Sequence, residues 1–266
     1  MANRYVRHVR VLAWVLWLAI GSPTFGQSPN SGDQPSPESQ AAKPTENFGE
    51  DSGRVGIGVK ASLLGGGVEL AVRTAPRANV RAGFNIFSYS RGFSQDGFAY
   101  NGELSFKTFE AHYDFFPSAK NFHLSPGVLV YIGDPITATA SVPAGQSFSL
   151  GGVTYDSDTT TPVSGHGKID FNRAAPLATV GWGNLIPRSS KHFSVPLELG
   201  VAFQGTPRAT LNLAGNVCDS PGVNCRPIPS DPVVQTQIRA EQTKITNNMS
   251  LFKVYPIISV GFGYKF

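Results

Sequence analysis

The chain has 266 residues, of which 15% are charged and 11% aromatic, with 29 glycines. Low charge with abundant Gly and aromatics suits strands and turns rather than helices, so an all-β architecture leads. The formal charge of +4 does not mark a nucleic-acid partner, because Arg4, Arg7 and Arg10 fall at the extreme N-terminus and no Lys/Arg cluster with interleaved aromatics follows.

Residues 1–26 read as a secretory signal: a basic start, an apolar run from Val11 to Ile20 too short to cross a bilayer, then small residues. Residues 27–53 are rich in Pro, Ser, Gln and Glu and cannot bury a core, which predicts a flexible acidic tether. From Arg54 to the C-terminus the apolar period is two, and 54–266 read as one domain.

The strand-like segments in chain order are 55–63, 68–74, 80–88, 100–116, 122–132, 176–186, 193–203 and 252–266. In the last of these, every second residue from Phe252 through Val254, Pro256, Ile258, Val260, Phe262 and Tyr264 to Phe266 is apolar. Strict alternation over ten or more residues means a strand with a different solvent on each face. Within 100–116 the apolar parity changes between Phe106 and Phe109, which predicts a β-bulge near Lys107 and Thr108. Pro126, Pro196 and Pro256 cannot donate to a ladder and are expected at bulges or strand ends.

Connections such as "APRAN", "PSAKN" and "PRSSKH" are short and turn-forming, whereas 88–99, 133–175 and 204–251 are long and polar. In the 133–175 loop, "ITATASV" and "FSLGGVTYD" are strand-like and could extend as a hairpin above a membrane. Cys218 and Cys225 bracket a Pro-Gly turn; in an exported chain they are expected to form a local disulfide, and alone they make only a weak zinc site.

A sheet with one apolar face either packs on a second sheet or closes with that face in lipid. The face opposite the apolar rows carries Gly, Ala, Ser and the charges Lys60, Glu69, Arg73, Arg81, Glu110, His112, Asp114, Glu198 and Lys253. Small residues and paired charges suit the narrow interior of an eight-stranded barrel. The reading is therefore a closed, antiparallel, eight-stranded transmembrane β-barrel with short periplasmic turns and long extracellular loops, in the outer membrane of a Gram-negative-type cell. Tyr264 and Phe266 are placed in the periplasmic aromatic girdle, and Trp182 and Phe203 nearer the outer one. The terminal row Phe262, Tyr264 and Phe266 resembles the segment by which barrel-assembly machinery recognises its clients.

At "GKIDFNRAAPLATVGWG" (167–183) and "LELGVAFQGTPRATLNL" (197–213) the chain resembles the eight-stranded outer-membrane family typified by CarO. The likeness spans about 54–266, with the tether and the cysteine pair as departures. It implies a narrow channel for small solutes, basic amino acids among them, although no set of channel-lining residues transfers by motif. The alternative is a non-conducting barrel that presents extracellular loops.

These inward charges could form a selectivity ring or simply neutralise one another. His123 and Ser125, with Glu110 and His112 on the preceding strand, resemble the His, Ser, Glu set of outer-membrane lipid A deacylases. Their parity points inward beside a periplasmic turn, away from the outer leaflet such chemistry needs, so the sequence reads as no enzyme. His112 and His123 as a metal pair are outweighed by charge pairing with Glu110 and Asp114. No fingerprint for a phosphate, dinucleotide or catalytic metal is present, and no cofactor is expected. Expected partners are outer-membrane lipid, the assembly machinery during insertion and a small solute, with no nucleic acid.

Overall fold

The computed structural model describes residues 54–118 and 120–266. The expected signal peptide at 1–26 and tether at 27–53 lie outside the described residues. Eight strands form the barrel: β1 (Val55–Ser62), β2 (Gly65–Ala75), β3 (Ala78–Gln95), β4 (Phe98–Phe115), β5 (Phe122–Tyr131), β6 (Ala174–Trp182), β7 (Leu197–Phe203) and β8 (Val254–Lys265). Each pairs antiparallel with its neighbour in this order, and β8 returns to β1 with Gly58 opposite Gly263. Closure leaves no open edge along the wall, the condition for backbone to cross hydrocarbon. Among the described residues, no helix is long and apolar enough to span.

Alternation decides which face meets lipid. Phe262, Val59, Val68, Phe84 and Phe109 form one row across five paired strands. They are 51%, 58%, 58%, 39% and 42% exposed. A soluble monomer rarely exposes a contiguous apolar patch above a few hundred Å2. Here the apolar row runs from strand to strand around the wall, while Lys60, Glu69, Arg81, Glu110, Asp114 and Glu198 are buried inside it. The molecule is an inside-out sheet, and the outer face is the lipid face.

At one end the connections 76–77 and 116–121 are short in sequence, and 183–196 is a folded segment. At the other, 63–64 and the hairpin turn 96–97 are short, and 132–173 and 204–253 are long. Trp182 pairs with Phe122 beside a short turn, at the same end as Tyr264, so its expected place near the long loops is corrected. Phe203, opposite Val254, is at the long-loop end.

The 88–99 loop is instead the upper half of a hairpin. β3 and β4 have 18 residues each, about 60 Å of strand at the usual rise, whereas hydrocarbon is about 30 Å thick. The lipid belt ends near Ile86 and Phe109; beyond it the outward residues turn polar at Ser88, Ser90, Glu103 and Asn101.

No bulge interrupts this hairpin: the β3–β4 register runs unbroken from Ala78 opposite Phe115 to Gln95 opposite Phe98. The apparent phase change has another cause. Even-numbered residues of β4 point inward throughout, but they are polar at Thr108, Glu110, His112 and Asp114 and apolar at Phe98, Leu104 and Phe106. The environment changes, not the direction of the side chains. Near the same point β4 exchanges its partner, leaving β5 after Thr108 and pairing with Ile136–Ser141 from Leu104 outward.

The prolines resolve separately. Pro196 lies in the gap between the short strand Phe193–Ser194 and β7, and Pro256 is near the start of β8. Pro126 sits mid-strand, contrary to expectation. It faces outward, and the β4–β5 register is the same on either side of it, with Phe115 opposite Leu124 and His112 opposite Gly127.

Beyond the belt, Ile136–Ser141, Ser164–Asp170 and Arg208–Ala214 continue the sheet from the free edge of β4. "FSLGGVTYD" is a hairpin, Ser147–Leu150 with Val153–Ser157, joined to Asn216–Cys218. These elements and one helix, α1 (Pro232–Asn248), bury Phe98, Phe148, Tyr155, Val163, Ile228 and Val234 in a core of their own. The long loops thus fold into a head. Asp231 caps α1 by accepting from the amides of Val233 and Val234, with Pro232 in the first turn. The Cys218–Cys225 disulfide closes a turn at the edge of the head.

Candidate functional site

The barrel interior is filled in three layers. At the short-turn end, residues 183–192 fold back into the mouth and insert Leu185 and Ile186, which are buried with Ala71. Glycines make the room: a Cβ on Gly58 or Gly263 would come within 2.7 Å or 2.6 Å of Leu185 Cδ1. The segment is tied down on several sides. Asn79 donates to Asn184 Oδ1 at 2.8 Å, Lys265 Nζ donates to the carbonyls of Pro187 and Ser189 at 3.1 and 2.7 Å, and Arg188 lies 4.2 Å over the Phe116 ring.

The middle layer is ionic. Lys60 Nζ is 2.9 Å from Glu110 and 3.1 Å from Glu69. Arg81 makes a two-pronged contact with Asp114, both bonds 3.0 Å, reaches Glu69 at 2.6 Å and also pairs with Glu198. His112 Nε2 lies 2.8 Å from Glu110, and His123 Nε2 lies 3.1 Å from Glu198. Ser125 donates to Asp114 at 2.7 Å, and Asn85 donates to Glu110. The planar guanidinium suits this position because its fork serves three carboxylates from β2, β4 and β7 at once.

The upper layer is apolar again. Inward residues Leu129, Ala175, Leu177, Ala202 and Ile257 pack with Phe106, and Leu64 from the 63–64 turn closes over them at 1% exposure. Tyr131 donates to Gln204, which donates in turn to the carbonyl of Phe252 at 2.6 Å.

Of the sequence-derived candidates, Lys60, Glu69, Arg81, Glu110, His112, Asp114 and Glu198 come together in this network. Arg73 is half-buried at the short-turn mouth, 3.5 Å from the Pro187 carbonyl. Lys253 is exposed in the turn Ser250–Lys253, so it stands apart from the network. His123 and Ser125 join it without having been counted in the lumen set. Leu185 and Ile186, expected at the end of a strand 176–186, belong instead to the plug, because β6 ends at Trp182.

The space beside Arg81, Asp114 and Glu198 is about 10 Å3, room for roughly one water. Ligand atoms of Asp114, His123 and Glu198 fall within 4.8 Å of one another, but Arg81 already donates to both carboxylates. His123 and Ser125 are sealed from the outer face and bonded to Glu198 and Asp114, so no substrate carbonyl can approach Ser125 Oγ from lipid.

No family model matches the chain and no curated protein matches it. Two crystal structures of Acinetobacter baumannii proteins are similar to it. CarO matches at 20% identity over 79% of this chain and 97% of its own, with a TM-score of 0.46. CarO2 matches at 21% identity over 80% and 98%, with a TM-score of 0.47.

Proposed function

We propose that the chain is a non-conducting outer-membrane anchor whose barrel holds the folded head at the cell surface. The observation that carries this reading is the filled interior: an apolar plug, an ionic knot and a second apolar layer succeed one another along the lumen. A hydrated solute would have to separate Arg81 from three carboxylates without water to replace them, which costs several kcal/mol per exposed charge. The narrow-channel reading needs that separation, and the space of about 10 Å3 beside the knot supports the closed reading. The lipid belt and the aromatic end of β8 support outer-membrane residence, with Phe262, Tyr264 and Phe266 as the handle for assembly machinery.

Surface presentation is tested on intact cells. A membrane-impermeant amine label and an added protease should reach the head, where Lys244 is exposed, and leave a barrel-sized fragment. Labelling and cleavage seen only after cell lysis would rule out a surface head.

A further inference from the structure

The head has a partly open cavity of about 130 Å3 between its sheet and α1. Its origin is visible in the strand register. Ala138 and Gly167 stand side by side on paired strands, and neither side chain fills the space above the sheet. The rows on either side carry Tyr100 and Leu213, or Ile136 and Ile169, and form the walls. Leu211, opposite Gly167, borders the gap, and α1 roofs it with Glu241 and Ile245.

An apolar cavity of about 150 Å3 accommodates a benzene ring, so this one fits a single ring or a short branched chain. The charged residues of its lining are Asp96, Glu241 and Lys168. Lys168 is among the lining residues, but its ammonium is 3.4 Å from Asp134 and 3.1 Å from Asp170. Asp96 and Glu241 are the acidic residues of the lining, and the Glu241 carboxylate also lies 3.4 Å from the exposed Lys244 ammonium on the same helix. Both act on the Tyr100 hydroxyl, which is pushed up to about 12 by burial first and then by Glu241 and Asp96. An apolar floor beneath two carboxylates and a phenol matches a ligand with an apolar body and one positive group.

We propose that this cavity binds a small organic cation, a primary ammonium carried on a single ring and lacking a carboxylate of its own. The floor takes the ring, and Glu241 and Asp96 take the ammonium. The cavity lies in the head, so its occupancy does not depend on whether the lumen conducts.

The test uses the full-length protein refolded in detergent, with fluorine NMR of 4-fluorobenzylamine as probe and 4-fluorobenzoate as the same ring with opposite charge. The amine should shift and broaden saturably, and the benzoate should show only what empty micelles give. Glu241→Gln should weaken the amine at least threefold. Ala138→Leu, which fills the floor, should abolish the response while the heat-dependent gel mobility stays that of the parent. If Ala138→Leu does not fold, Glu241→Gln decides alone. No saturable response to the amine, equal binding of benzoate, or an affinity unchanged by Glu241→Gln and by any folded Ala138→Leu overturns the proposal.

Discussion

Arg81 on β3 and Glu198 on β7, 117 positions apart in sequence, pair across the inside of the barrel, and Glu69 and Asp114 share the same guanidinium. Replacing Arg81 by Met leaves three carboxylates facing one another in a dry space. Removing one partner of a buried ionic group costs about 3–5 kcal/mol. Arg81→Met should therefore lower sharply the temperature at which the folded band converts to the unfolded one on detergent gels. Adding Glu198→Gln should recover part of that loss; a single variant as heat-resistant as the parent would show that the knot does not hold the barrel.

Gly58 and Gly263 are small because Leu185 occupies the space they leave. Gly58→Val inserts a branched side chain against Leu185 and should destabilise by about 1–3 kcal/mol, the usual cost of overpacking. Shortening Leu185 to Ala in the same chain should restore part of the heat resistance. If Leu185→Ala lowers it further, the plug and the glycines are not a matched pair.

The lipid face makes a position-specific prediction. Ile258 lies opposite Leu199 and is 45% exposed, whereas its neighbour Ser259 is inward and buried. Arginine on the lipid face near the bilayer midplane costs about 2–4 kcal/mol. Ile258→Arg should lower refolding yield into lipid vesicles, and Ile258→Leu should not. Equal yields for the two would place Ile258 in water.

Phe266 is the last residue, 60% exposed, with its amide bonded to the Val55 carbonyl at 3.1 Å. If the terminal aromatic row is a handle for assembly machinery, Phe266→Ala should reduce the amount of protein in the outer membrane of cells. Refolding in detergent should be unaffected. Equal loss in both settings would make Phe266 a structural residue only.

The barrel was legible because two solvents write a period of two onto the wall. Val59, Ile258 and Val260 alternate with Lys60, Ser259 and Gly261, the pattern of a sheet with unlike surroundings on its two faces. For the same reason parity puts Glu69, Arg81, Glu110 and Glu198 on one inward face. Reading apolar as outward failed where the inside is apolar too: Phe106 points into the upper layer, and the expected bulge at Lys107 and Thr108 was an artefact of that. Leu185 and Ile186 hid in a run of turn residues, where one or two apolar side chains carry no period. The helix was hidden because few of its residues are buried, Val234 and Ile238 chief among them; the Asp231 and Pro232 pair was the available sign of its start.

Conductance of the refolded full-length protein in a planar bilayer tests the closed interior most directly. The filled lumen predicts current indistinguishable from protein-free membrane at any applied voltage the bilayer survives, with or without small cations. Steady, reproducible single-channel steps from the unaltered chain would mean that the Arg81 knot opens, and would contradict the anchor reading.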